Sequence, residues 1–389
     1  MAPGAVPADS HDAAADGLAE LWRWFAATQC RGYSPLYEAI VDGIAGDEEL
    51  LGVVRAARPE SHLPPMLLAA VHYQLLAGFD HPLADVYAGR SHADPVPLFR
   101  DVCRRRRIEI DHLLATRHIQ TNECGRSAVI GPGLTWLAGR HGSPLALVDV
   151  GASAGLNLLC DRYRLDYGAR GATGPADSPV VVRCEVSGEV PIAPRLPPIL
   201  ARIGVDRAPV DLTDHDAARW LLACVWPDTG RLERTAAAIE LARSEPPVVV
   251  TGDATATVPG VLAGLPAAAH PVLVTTWAFA YLSVEARREF TAMLADQSRR
   301  RPLAWLSAEG AGTVEALAEA EAAVRERAAP ADDAVPTPDV LGAVLFDDGE
   351  LEAHVLGYVH SHGRWLDWRA PADVNGRWVV QGLDELPRR

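Results

Sequence analysis

The sequence predicts an α/β protein in which an all-helical N-terminal domain precedes a mostly parallel sheet that closes with a C-terminal antiparallel hairpin. Three observations lead there. From Leu18 to about His118 apolar residues recur every three to four positions, the period of a helix. From about residue 119 short apolar runs are each followed by glycine or an acidic residue and then a helical pattern, which is how βαβ units read. Near the end, LGAVLF and LEAHVLGYV flank the turn DDGE.

Taken in order, residues 1–17 have neither a positive n-region nor an apolar h-region, so a disordered leader without a targeting signal is expected, and with it a cytoplasmic protein. Residues 18–118 carry the helical periods Leu21, Trp22, Phe25, then Leu36, Tyr37, Ile40, Ile44, then Leu67, Leu68, Val71, Leu75, Leu76. The run from Leu98 to Leu114 predicts one long helix. Its four arginines, residues 104–107, read as a solvated face paired with Asp101, Glu109 and Asp111.

Residues 119–389 form the second domain. Strands are expected at 145–150, 201–205, 248–251, 272–276 and 303–307, with a helix at about 154–163 and an inserted flap at about 165–200 containing the strand-like VVVRCEV. Asp214 and Ser283 are placed to cap helices. The stretch between Asp253 and Glu285 holds no acidic or basic residue except His270, but Pro259, Pro266 and Pro271 divide it into helix, strand and helix start, so no membrane span is expected.

Composition narrows the function classes. The 389 residues, 49% of them hydrophobic, suffice for a large core and about two domains. All 36 basic residues are arginine, and against 51 acidic ones the net charge is −15, which argues against a nucleic-acid partner. The six cysteines lie 20 or more residues apart and read as reduced, buried thiols.

The stretch VDVGASAGLN, residues 148–157, carries the chemistry. Its glycines allow a ligand to approach the backbone, amides at a helix start can face an anion such as a carboxylate, and Asp149 enters the same crevice. In an open sheet the next strand ends converge there. Asp206 can accept hydrogen bonds from both ribose hydroxyls of a nucleoside, and Asp253 one from an adenine amine. Read as G-x-S-x-G, the same loop makes Ser153 a nucleophile, with Asp347 or Asp253 and His354 or His360 completing a triad. The G-x-G-x-x-G spacing of a nicotinamide enzyme is absent. His354, His360 and His362 share one parity, but without a carboxylate or cysteine to complete a set they read as strand-end polar residues, and no metal is expected.

VDVGASAG, GVDRAP and GDA resemble, in that order, the glycine-rich loop, the acidic second-strand end and the adenine-contacting third of class I S-adenosylmethionine-dependent methyltransferases. The resemblance implies a Rossmann-like methyltransferase-type sheet, with S-adenosylmethionine as cofactor. It puts Asp149, Gly151, Ser153 and Gly155 at the methionine moiety, Asp206 at the ribose with Glu185 as its competitor, and Asp253 at the adenine, with Asn157 and Ala254 as further cofactor-binding residues. Ser153 replaces the middle glycine of that loop. Over nearly its whole length the chain also resembles an uncharacterised domain-of-unknown-function family of high-GC bacteria, through TNECGR, GASAGLN, DYG, VDLTD, RWLLACVWP and HGRWLDW.

The expected activity is therefore a transferase reaction, methyl transfer to a small-molecule acceptor. Asn122, Arg126, Thr276, Trp277 and Tyr281 are the acceptor-side candidates, and Glu123, Glu309 and His354 the candidate bases. The alternative of another class is a non-catalytic protein that binds a nucleoside ligand or a partner on the same fold.

Overall fold

The computed structural model describes residues 14–141, 144–327 and 339–370. The expected leader thus lies outside the described residues up to residue 13, and residues 14–17 already belong to the first helix. The helices are α1 (Ala14–Phe25), α2 (Pro35–Ala45), α3 (Glu48–Ala56), α4 (Pro64–Leu76), α5 (Leu83–Tyr87), α6 (Pro95–Arg105), α7 (Arg107–Thr116), α8 (Ser127–His141), α9 (His215–Ala223), α10 (Leu232–Ser244), α11 (Ala254–Ala263), α12 (Val284–Ser298) and α13 (Ala318–Arg327). Side-chain caps start many of them. Ser34 Oγ accepts the Tyr37 amide at 3.1 Å ahead of Pro35, and Asp47 accepts the amides of Glu49 and Leu50 at 3.0 and 3.2 Å. Asp214 and Ser283 cap α9 and α12, accepting from Asp216 at 2.8 Å and Ala286 at 3.2 Å.

The described residues divide into two compact units, one drawn from those within 14–121 and Asp211–Ile239, the other from those within Asn122–Val210 and 240–370. The first therefore includes residues 211–239 as well as the helical segment read from the sequence. Its described residues hold helices around one apolar cluster that includes Trp22, Tyr37, Phe99 and Trp220. The single helix expected across residues 98–114 is two, because Arg106 (φ −116°, ψ 30°) breaks the α6 to α7 run. The arginine face is ion-paired with the acids read from the sequence, Arg105 to Asp101 at 3.6 Å, Arg106 to Glu109 at 3.0 Å and Arg107 to Asp111 at 2.7 Å, and Arg104 adds an unforeseen partner, Glu49, at 2.6 and 2.5 Å.

The second unit is mixed α/β. Its strands are β1 (Leu145–Val150), β2 (Arg164–Asp166), β3 (Ala172–Thr173), β4 (Val181–Arg183), β5 (Glu185–Ser187), β6 (Ile199–Asp206), β7 (Val248–Thr251), β8 (His270–Thr276), β9 (Leu303–Glu309), β10 (Asp339–Asp347), β11 (Glu350–Val359) and β12 (Trp365–Trp368). Nine of them form one mostly parallel sheet in the order β7-β6-β1-β8-β9-β10-β11-β12-β5. The five from β7 to β9 run parallel, β10 is antiparallel to both its neighbours, and β12 is antiparallel to β11. The β10–β11 hairpin closes on Asp348 and Gly349, both with positive φ, the turn that matches strand twist.

Two local readings change. VVVRCEV splits at Cys184, whose amide donates to Asp166 O at 2.9 Å while that of Glu185 donates to Arg364 O at 2.8 Å. Neighbouring amides are claimed by different sheets, so β4 joins a small sheet with β2 and β3, and β5 extends the far edge of the large one. The helix expected at 154–163 is a 3-10 segment, Leu156–Arg162, kinked at Leu159. Side chains take the groups an α-helix would need: Asn122 Oδ1 accepts the Leu156 amide at 2.9 Å, and Tyr163 donates to Leu156 O at 2.6 Å.

One sheet face, with Val148, Val150, Leu273, Trp305 and Val344, packs on Val258 of α11 and on Phe290 and Leu294 of α12. The other meets α8, where Gly133 leaves room for Leu306 and Trp136 stacks edge-on against His354 at 5.5 Å. The uncharged stretch resolves into α11, β8 and the start of α12, and among the described residues no helix is long and apolar enough to cross a membrane.

Trp305 is fully buried, stands 4.9 and 5.5 Å from Phe279 and Phe290, and donates to Thr275 Oγ1 at 3.0 Å. Trp305→Ala should lower unfolding free energy by about 3–5 kcal/mol in urea denaturation, the cost of an aromatic cavity.

Candidate functional site

The sheet reverses its winding between β1 and β8: β6 and β7 follow on one side, β8 and β9 on the other. Loops leave in opposite directions at such a point and open a crevice beyond the carboxyl ends. The loop after β1 turns there through left-handed backbone at Gly151 (φ 81°), Ser153 (φ 52°) and Gly155 (φ 74°). A Cβ on Gly151 would collide with that of Ala278, and one on Gly155 would lie 2.7 Å from Pro247. Only Ser153 departs from glycine in these three positions, at a cost of about 1–2 kcal/mol for an L-residue in that region.

Most of this loop's amides are used inside the protein. Gly151 donates to Val205 O at 2.8 Å, Ser153 to Asp206 Oδ2 at 2.8 Å, Gly155 to Ala152 O at 2.7 Å and Leu156 to Asn122 Oδ1 at 2.9 Å. Asp206 thus fastens the loop, and its other oxygen accepts the Ala208 amide at 2.8 Å. Asp253, at the end of β7, caps α11 just ahead of Ala254 by accepting from Thr255 and Ala256 at 3.0 and 3.4 Å. Its pairing with Arg207 at 2.6 Å holds its carboxyl below the usual range. Glu185 does not compete for the Asp206 position. It lies on β5, at the opposite edge of the sheet and seven strand spacings of about 4.8 Å away.

Arg126, 7% exposed, is the centre of the site. It donates to Thr276 O at 2.8 Å and, from Nε, to Ser361 O at 3.2 Å, and its guanidinium lies 4.6 Å from the Trp277 ring. Trp277 itself holds a left-handed backbone (φ 51°) and donates its amide to Ala308 O at 3.0 Å. Asp149 and Glu309 both feel the Arg126 charge, yet burial outweighs it and pushes each carboxyl up to about 7. Oε1 of Glu309 is fixed by the amides of Ala278 and Phe279 at 3.1 and 3.0 Å. Among the described residues, Asp149 Oδ2, Ser153 Oγ, Glu309 Oε2 and Trp277 Nε1 are buried without a hydrogen-bond partner. Four such atoms at the ends of adjoining strands mark a place where a ligand's own polar groups would complete the pairing.

The motifs TNECGR, GASAGLN and HGRW meet here. Gly363 packs on Gly125, the Ser361 carbonyl receives Arg126, and Ser127 Oγ donates to Asn157 Oδ1 at 3.4 Å. The model of a family of uncharacterized proteins conserved in bacteria, DUF2332, matches residues 19–368. The chain belongs to this family. No curated protein matches it.

Other candidate residues of this DUF2332 protein serve the backbone or lie elsewhere. Asn122 anchors Leu156, and Glu123 accepts the Gly125 amide at 2.7 Å, so both shape the entry to α8. Tyr281 is 80% exposed. His354 is not brought to the cluster: it lies on β11, four strands from β1, where it pairs with Ala343 of β10, and burial lowers its imidazole to about 3. Its Nε2 lies 3.0 Å from Glu352 without hydrogen-bond alignment. Ser153 Oγ has no hydrogen-bond partner among the described residues. Sequence reading missed the turn around Ser361. Its one signal was HGRW, whose glycine (φ 70°) the tight approach to Gly125 requires.

A carboxyl raised on folding keeps its proton where the unfolded chain has lost it. Asp149 and Glu309 therefore cost stability progressively from about pH 4 to about pH 7. Asp149→Asn should flatten that decline in urea midpoints measured from pH 4 to 8, each pKa unit being worth about 1.4 kcal/mol. Arg126→Leu, which strands the Thr276 and Ser361 carbonyls, should destabilise by about 3 kcal/mol in the same assay.

Proposed function

We propose that the protein binds S-adenosylmethionine in this crevice and transfers its methyl group to a small-molecule acceptor. What carries the reading is the set of unpartnered oxygens on Asp149, Ser153 and Glu309 beside one buried arginine at the reversal point of the sheet. The strand order supports a Rossmann-like, methyltransferase-type arrangement, since β7-β6-β1-β8-β9 corresponds to 3-2-1-4-5 among the parallel strands. An all-helical N-terminal domain is supported by residues 14–121, where only helices and connections occur.

The donor set suits the cofactor. Two buried carboxyls favour cationic groups, here an ammonium and a sulfonium, and a guanidinium favours a carboxylate. Because the loop amides are already bonded, the buried Asp149 carboxyl is the group left for the methionine ammonium. Asp206 and Asp253 keep lone pairs for ribose and adenine beside the amides they hold. When bound, the cofactor supplies an electrophilic methyl carbon. The chain's own residues orient, exclude water and manage a proton: Gly151 and Gly155 permit close approach, Trp277 covers the strand end, and Glu309 is poised to take a proton near neutral pH. The acidic balance of −15 favours an acceptor other than nucleic acid.

Calorimetric titration tests this. S-adenosylhomocysteine should bind at micromolar Kd while NAD does not, and Asp149→Asn should weaken binding by about 1–3 kcal/mol. Absence of binding heat from both S-adenosylhomocysteine and S-adenosylmethionine would remove the reading.

A further inference from the structure

We propose that the methyl acceptor is a primary or secondary amine whose nitrogen is held against Oε2 of Glu309. The inference rests on the methyl-transfer reading of the same site. Glu309 ends β9, is 1% exposed, and cannot swing away because Oε1 accepts two consecutive amides of the turn that follows β8. That turn is itself tied down. Trp277, just before it, is bonded to Ala308 and backed by Arg126, so the ends of β8 and β9 form one rigid wall. The one carboxyl oxygen left over, Oε2, is buried and has no hydrogen-bond partner among the described residues.

The chemistry of this wall sorts the acceptors. A carboxylate acceptor would be repelled once Glu309 ionises. An alcohol, with an O–H near the acidity of water at about 15.7, would need a far stronger base than a carboxyl that burial has pushed up to about 7. A thiol could surrender its proton here, but its methylated product is neutral and gains nothing from a carboxylate. An amine suits both stages. Its ammonium form gives one proton to Glu309 Oε2, the nitrogen lone pair then forms the N–C bond, and the C–S bond breaks with its electron pair left on sulfur. Positive charge thus moves from sulfur to nitrogen while Glu309 carries the proton as a neutral acid, and loss of that proton to solvent restores a carboxylate beside the methylated ammonium.

The test uses the full chain saturated with S-adenosylhomocysteine and titrated with two isosteric series, benzylamine, benzyl alcohol, benzyl mercaptan and benzoate, and their n-butyl counterparts. The expected result is an amine preference of at least about tenfold over alcohol and thiol, with no carboxylate binding. Glu309→Gln keeps an oxygen for the Ala278 and Phe279 amides, so, at an S-adenosylhomocysteine concentration that saturates the variant, it should erase the preference. Absence of an amine preference in both series, or an equal preference in Glu309→Gln, overturns the inference. Failure of S-adenosylhomocysteine to bind is scored separately and brings down the cofactor reading.

Discussion

A single buried guanidinium holds the crevice in shape. Arg126 lies between the turn that opens α8, the carboxyl end of β8 and the turn after β11, and it donates to main-chain carbonyls of the latter two. Arginine's planar fork fixes the direction of each bond, so the three segments cannot shift independently without stranding a buried acceptor. The same cation sets the electrostatics. It lowers the cost of charge on Asp149 and Glu309, but burial is the larger effect, and both carboxyls remain near the point where they exchange protons at neutral pH.

The crevice draws on both faces of the sheet. Strand alternation puts Asp149 and Thr276 on the α8 side, in line with Leu306, while Thr275 and Glu309 belong to the side that packs α11 and α12. They approach one region only because each lies at or near a strand end. The loop between them is held from beneath by Asp206, a carboxylate that satisfies the strained turn at Ser153 and the amide of Ala208 together. In a chain segment with three left-handed residues, such fastening replaces the helix start that usually steadies a glycine-rich turn.

Much of the fold was legible because it depends on local chemistry. Continuous apolar runs mark strands buried on both faces, and β1, β8 and β9 are buried along nearly every residue. Asp214 and Ser283 announced their helices because a short oxygen-bearing side chain before an apolar period satisfies an otherwise unpaired amide. The Asp-Gly pair at 348–349 announced the hairpin because both positions need positive φ. Breaks decided by distant partners were not legible. The split at Cys184 depends on Arg364, and the 3-10 form of residues 156–162 on Asn122 and Tyr163. Among candidate bases the same limit applied. His354 and Glu309 are both polar residues within apolar strands, yet one lies mid-strand against Trp136 and the other ends its strand at the crevice.

By itself the sequence determined the class of the protein, the glycine-rich loop after the first strand and the acidic residues at the ends of the next two, because periodicity and turn chemistry act over a few residues. Only the tertiary structure decided that Arg126 would meet Thr276 and Ser361, that Asp206 would turn inward to the loop, and that Asp149 and Glu309 would be buried without full pairing. Burial and electrostatic coupling depend on distances between segments up to 235 residues apart in the chain, and no local pattern encodes those distances.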